Sequence, residues 1–178
     1  MKAMEYIVES ERLGLRKLTE ADFDVICVFL KDPEVMYAWG HGFSDEEVRQ
    51  WLGKNLKRYD KDGYGFFLAI EKQTEAPVGV IGIIHNEING RQRWEIGYII
   101  DKRYWRRGFA REGSKACLKH AFSKMGLEEM VFQMRTDNIP SQKVAQSLGA
   151  RREGEYIRHY WGEDMPHYIC VVKKEAFC

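Results

Sequence analysis

Tyr98-Ile-Ile-Asp-Lys-Arg-Tyr-Trp-Arg-Arg-Gly-Phe-Ala110 runs from an apolar strand through a polar turn into the start of a helix. The first amides of a helix lack an intrahelical acceptor and carry partial positive charge, so such a junction is a ready site for an anion. Gly108 removes the Cβ that would hold a phosphate away from the backbone, and Ala110 adds little bulk. Arg106 and Arg107 place formal positive charge beside them. The spacing is neither G-x-x-x-x-G-K-S/T nor G-x-G-x-x-G, which argues against nucleoside-triphosphate and dinucleotide binding. A glycine after a strand is also an ordinary turn residue, and paired arginines are often a solvated face. The stretch alone leaves both readings open.

Outward from the turn, the pattern supplies a full set of elements. Towards the N-terminus lie apolar runs at Tyr64–Ile70, Val78–His85 and Arg93–Ile100, the last two joined by Asn89-Gly90, a hairpin turn pair. Earlier still, residues 6–18 read as one strand or two short ones. Thr19 with Asp22, and Ser44 with Glu47, are N-cap signals that open two helices, the first ending near Asp32-Pro33. Towards the C-terminus a helix is expected from Phe109 to about Lys124, its core face formed by Ala110, Gly113, Cys117, Ala121 and Phe122. Then come a strand over Met130–Arg135 and a short helix opened by Asn138-x-Pro140-Ser141. Two strands, roughly Arg151–Tyr160 and His167–Lys173, close the chain. Hairpin strands combined with a β–α–β crossover require an α+β fold with a mixed sheet and helices on its faces.

The 178 residues, 44% hydrophobic and 31% charged, suit one domain spanning 1–178. Twenty-eight Lys and Arg against 27 Asp and Glu leave a net charge of +1, which gives no reason to expect nucleic acid or an acidic membrane as partner. Cys27, Cys117, Cys170 and Cys178 form no Cys-x-x-Cys pair and lie near no His at ligand spacing, so reduced thiols and no metal are expected. No apolar stretch has the length of a signal peptide or a membrane span, and the cytoplasm is the expected location.

The chain resembles the GCN5-related N-acetyltransferases (GNAT), and within them the RimJ/RimL-type ribosomal-protein N-acetyltransferases. Trp105-Arg-Arg-Gly108-Phe-Ala110 is similar to that superfamily's turn, Q/R-x-x-G-x-G/A, with Trp105 at the first position. The branch's pattern, Tyr-Trp-Gly-Lys-Gly-Tyr-Ala, has Gly where Arg106 stands. Glu11-Arg-Leu-Gly-Leu-Arg-Lys-Leu-Thr-Glu-Ala-Asp22, Val78-Gly-Val-Ile-Gly82, Glu95-Ile-Gly-Tyr98 and Asn138-Ile-Pro-Ser141 followed by Leu148-Gly149 resemble further motifs in the same order. The resemblance implies a mixed, mostly antiparallel sheet, splayed between its fourth and fifth strands, with helices on both faces. It implies acetyl-CoA as donor, its arm paired with the backbone of Ile99, Ile100 and Asp101. The pyrophosphate would lie on the amides of Arg106, Arg107, Gly108, Phe109 and Ala110, and Asn138 would hydrogen-bond the arm.

Acetyl transfer from a thioester to an amine needs a base for the ammonium, a fixed donor for the developing oxyanion, and a proton for the leaving thiolate. Glu95, on the strand that enters the turn, is the expected base, because burial against an apolar cleft would raise its pKa. Its ordinary alternative is an exposed strand carboxylate paired with Arg93 or Arg91. His85 is the second choice of base. Seven residues after the Asn, where many members of the superfamily carry Tyr, stands Ala145. Ser141 is therefore expected to serve the thiolate, unless it merely satisfies first-turn amides. A main-chain N–H near Ile99 is the expected oxyanion donor. By analogy with the fold, Trp39, His41, Tyr64 and Trp94 should surround the acceptor, a small-molecule amine or a protein N-terminus. The chain would act as monomer or homodimer. A non-catalytic acyl-CoA sensor with the same fold is the alternative.

Overall fold

The computed structural model describes residues 3–177. Between residues 8 and 17 the chain makes two strands, β1 (Val8–Glu9) and β2 (Leu13–Lys17). Arg16 and the Thr19 amide both bind the Asp22 carboxylate, which closes a capping box. The first turn that follows is a 3-10 turn (Glu20–Asp22), and only then does α1 (Phe23–Leu30) begin. The Ser44–Glu47 capping box opens α2 (Asp45–Asp62). Both helices bury one apolar stripe, through Ile26, Phe29 and Leu30 in α1 and through Val48 and Leu52 in α2.

Three antiparallel strands follow, β3 (Phe66–Glu71), β4 (Ala76–Ile88) and β5 (Arg91–Ile100). Asn89 (φ 49°) and Gly90 (φ 80°) are both left-handed, the conformation a two-residue hairpin turn of matching twist requires. The turn sets Ile88 opposite Arg91, and the register then runs unbroken to Gly79 opposite Ile100. After β5 come α3 (Phe109–Ser123), β6 (Glu129–Arg135), α4 (Ile139–Ser147), the hairpin β7 (Arg151–Tyr160) and β8 (Glu163–Lys173), and a final turn of helix, α5 (Lys174–Phe177). Strand β8 begins four residues before the expected His167. The Trp161-Gly162 pair makes a tight turn, and the ladder continues through exposed Glu163 and Asp164 with no apolar signal. Phe177 of α5, unforeseen, packs on Phe122.

The eight strands form one sheet in the order β1-β2-β3-β4-β5-β6-β8-β7, antiparallel except at β5–β6. Because residues 8–17 make two strands, the expected parting between the fourth and fifth strands lies between β5 and β6. On one face α3 and α4 bury Phe109, Cys117, Leu118, Ala121, Ala145 and Leu148 against Ile81, Ile83, Ile96 and Ile100. On the other, α1 and α2 cover Leu68, Ile70, Val80 and Ile99. Each such side chain, fully buried, contributes roughly 1.5–3 kcal/mol, so both layers are held firmly to the strands that flank the parting. Cys117 is buried, Cys27 and Cys170 are half-buried, and all three are free thiols; Cys178 lies outside the described residues. Among the described residues no helix is long and apolar enough to cross a membrane.

Candidate active site

Strands β5 and β6 pair at a single register position among the described residues, Glu95 with Val131. Beyond it they diverge around a cavity of about 670 Å³. The hairpin register dictates which groups face this slot. The Asp101 amide donates to the Val78 carbonyl at 2.9 Å, so the odd-numbered residues of β5 direct their main chain at β4. The amides of Tyr98 and Ile100 therefore point to the β6 side. The Ile99 amide, near which an oxyanion donor was expected, faces Val80 and not the slot. The Ile100 carbonyl is taken by the Trp105 indole N–H at 2.8 Å. Ile99 and Ile100 line the slot. Asp101 does not: it is buried, and its carboxylate accepts from the amide and guanidinium of Arg103.

In the turn, Arg106 (φ 61°) and Gly108 (φ 79°) are both left-handed. A residue other than Gly is strained there by roughly 1–2 kcal/mol, so Arg106 reproduces the backbone of the missing glycine at a cost. Arg106, Gly108, Phe109 and Ala110 line the cavity. Arg107 does not, and its guanidinium turns away to Glu71 at 3.1 Å. Arg12 supports the turn from behind. It donates to the Arg107 carbonyl at 2.9 Å, stacks 4.4 Å from the Phe109 ring and is anchored by Glu112 at 2.7 Å.

Side chains alternate across a strand, so Glu95 and Tyr98 open onto opposite faces of the slot. Glu95 is 9% exposed, and burial pushes its carboxyl up to about 7, opposed by a 2.6 Å hydrogen bond from Gln133 and by the charges of Arg158 and Arg58. The Tyr156 hydroxyl in turn donates to Gln133, which fixes that amide. Arg93 is no partner of Glu95; it is held by Glu129 (2.8 Å) and Glu153 (2.5 Å). On the other face the Tyr98 hydroxyl donates to Ser141 Oγ at 3.1 Å. Burial pushes the Tyr98 phenol up to about 12, so it stays protonated at neutral pH. Asn138 caps α4 by accepting the Ser141 amide through Oδ1, which leaves its Nδ2 free to donate into the cavity it lines.

A family profile described as "Acetyltransferase (GNAT) domain" matches residues 12–151. The chain belongs to the GNAT acetyltransferases. An uncharacterized N-acetyltransferase of Bacillus licheniformis, p20, is 31% identical over 154 residues, 85% of each chain. The crystal structure of a GNAT-family acetyltransferase from Bacillus anthracis is 26% identical, with a TM-score of 0.79 over 94% of this chain and 98% of that one. RimL, a ribosomal L7/L12 α-N-protein acetyltransferase solved with coenzyme A, shares the fold at 22% identity, with a TM-score of 0.78 over 97% and 99% of the two chains. The N-acetyltransferase reading and the splayed sheet thus stand together.

The acceptor side of this GNAT domain differs from expectation. Trp39 lines the cavity, whereas His41, Tyr64 and Trp94 do not. Trp94 is the neighbour of Glu95 and so must face the α3 side, where it meets Tyr64 edge-on; the Tyr64 hydroxyl is engaged by His120 at 3.0 Å. His41 pairs with Glu47 at 3.0 Å and abuts Trp161. His85, the second choice of base, stacks on Trp94 outside the cavity. The histidine that does line it is His167, 6% exposed. Its Nδ1–H donates to the Met165 carbonyl at 2.9 Å, and burial lowers its pKa, so the ring is neutral with Nε2 as an acceptor. Sequence reasoning also missed Tyr98, Gln133 and Arg158. For Tyr98 the signal existed, three residues beyond Glu95 on the same strand.

Proposed function

We propose that this GNAT domain transfers the acetyl group of acetyl-CoA directly to a primary amine, with both substrates held in the β5–β6 slot. The observation that carries the reading is the pairing of a buried carboxyl near neutrality on one face with a hydroxyl relay on the other. The residues present fit the donor. Left-handed Arg106 and Gly108 and the first amides of α3 open onto the cavity, as do the unpaired strand amides of Tyr98 and Ile100 and the Asn138 Nδ2. RimL, a protein of this fold, was solved with coenzyme A, which supports a coenzyme A thioester as the donor.

Acetyl-CoA supplies the thioester. Glu95, ionised above its pKa near 7, takes a proton from the amine's ammonium and leaves the nitrogen free to attack the acetyl carbon. The Tyr98 amide, on the edge facing the slot, stabilises charge on the reacting carbonyl oxygen, and the Ile100 amide is left to pair with the donor's arm. Ser141 accepts the Tyr98 hydrogen bond, so its own hydrogen is free to pass to the departing sulfur. The second proton, shed by the newly acylated nitrogen, restores the Tyr98–Ser141 pair, and the proton held by Glu95 returns to solvent.

Coenzyme A release should require an added amine, with the N-acetylated product identified by mass spectrometry. Glu95→Gln should lower that release at least tenfold at neutral pH. Tight acetyl-CoA binding without turnover against any amine or short peptide would overturn the transferase reading in favour of a sensor.

A further inference from the structure

Among the residues lining the cavity Glu95 is the only carboxylate, set against Arg106, Arg111, Arg135, Lys143 and Arg158. Arg106, Arg111 and Lys143 lie on the turn, α3 and α4, at the diphosphate end. Arg135 is neutralised by Asp137, at 3.0 and 2.8 Å. Arg158 is different. It comes from β7, where Tyr156, Arg158 and Tyr160 are half-buried and alternate with exposed Glu155, Ile157 and His159. The register sets it opposite Met165, which also lines the cavity. Its guanidinium lies 5.3 Å from the Tyr160 ring and has no hydrogen bond or ion pair with any described residue.

A second guanidinium close by is also short of a counter-ion. Arg58 of α2 reaches only the His85 carbonyl, at 3.5 Å. Burial lowers its pKa; Glu95 and Asp62 act the other way, and Arg158 repels it. Lys54, one turn earlier, is lowered by burial and then by Arg58 and Arg158. Lys54 is exposed, but half-buried guanidinium groups such as Arg58 and Arg158 that repel one another beside a cleft are stabilised by a ligand anion. A guanidinium takes a carboxylate through two parallel hydrogen bonds.

We propose that the acceptor is an amine that also bears a carboxylate, its nitrogen delivered to Glu95 and its carboxylate to Arg158. This rests on the transferase reading above. A polyamine is a poor fit, because its second ammonium would face Arg158 and Arg58 with no further carboxylate in the lining. A free amino acid and an acidic peptide N-terminus share the required chemistry.

The test compares matched pairs: free amino acids against their carboxamides, and the peptide amide Ala-Glu-Ala against Ala-Gln-Ala. In at least one arm the carboxylate should exceed its neutral partner tenfold or more in kcat/KM, mainly through KM. The arm in which it does so separates a small molecule from a protein terminus. Arg158→Gln should cut that ratio at least tenfold, and Arg158→Lys should restore part of it. Using the ratio cancels the effect of the lost charge on Glu95, which Arg158 helps to keep ionised. Should Arg158→Gln fail to fold, the ratio in the unaltered protein decides. Equal rates within pairs, a preferred polyamine, or a ratio unmoved by Arg158→Gln would overturn the inference and leave the transferase standing. Coenzyme A release from no amine at all would overturn the transferase reading and this inference with it.

Discussion

At the end we propose for the donor the slot is made of main chain: the Tyr98 and Ile100 amides, the left-handed turn at Arg106 and Gly108, and the first turn of α3, with Arg107 already neutralised by Glu71. At the end we propose for the acceptor it is made of side chains from four strands, Glu95 on β5, Gln133 on β6, Arg158 on β7 and His167 on β8. The first construction follows from one hairpin turn and one helix start, both local. The second exists only once β8 has inserted between β6 and β7. The same difference predicts how each end fails. Damage to the donor end should show in acetyl-CoA affinity, and damage to the acceptor end in chemistry and in choice of amine.

The largest expected effect lies at the acceptor end. Glu95→Gln should reduce kcat roughly 10²–10⁴-fold at pH 7.5, the usual worth of a positioned base. Acetyl-CoA affinity, followed by calorimetry, should change far less. At the donor end Gly108→Val forces a β-branched residue into a left-handed conformation. It should raise the KM for acetyl-CoA at least tenfold while kcat falls less; the reverse split would blur the two ends into one. Smaller effects are expected where the ends meet. Tyr98→Phe and Ser141→Ala should each lower kcat by roughly fivefold, about 1 kcal/mol, and the double variant should lose little more than either single, because the two hydroxyls act in series.

The last expected effect concerns stability. Glu95 holds its proton more tightly folded (near pH 7) than unfolded (near 4.5). Below pH 4.5 both states are protonated and burial of the neutral acid costs nothing. Between pH 4.5 and 7 the unfolded chain ionises while the folded one keeps its proton, so roughly 3 kcal/mol of stability is lost across that window and stays lost above it. Glu95→Gln should therefore raise the melting temperature by roughly 6–12 °C at pH 8, at about 2–4 °C per kcal/mol, and have no comparable effect at pH 4. A variant no more stable at pH 8 than the parent would show that Glu95 is better solvated than its burial indicates.

The turn and strand assigned to the donor were legible in the sequence, although Asp101 and Arg107 fall outside the cavity and the Ile99 amide turns to β4. Asn89-Gly90 fixed the β4–β5 register, and Gly108 at a strand-to-helix junction marked the turn. Glu95 and Ser141, singled out from the sequence, both line the slot, from opposite faces. The Ile99 amide, near which the oxyanion donor was expected, faces β4, a parity that the hairpin already contained. The same parity excludes Trp94, since adjacent strand residues cannot share a face. Tyr64 and His41 could not be assigned from pattern, because what holds them are His120 and Glu47, partners that only packing selects. Arg158 was invisible for a further reason. The alternation of Tyr156, Arg158 and Tyr160 is legible, yet nothing local says that this strand closes over the slot.

The most direct test of a base buried in the slot is the pH dependence of kcat/KM for the amine, in the parent and in Glu95→Gln. After allowance for the amine's own ionisation, the parent should lose activity below an apparent pKa near 7, and that limb should vanish in the variant. An acidic limb of unchanged position in Glu95→Gln would contradict the assignment and transfer the proton to another group in the cavity, with His167 the first to examine.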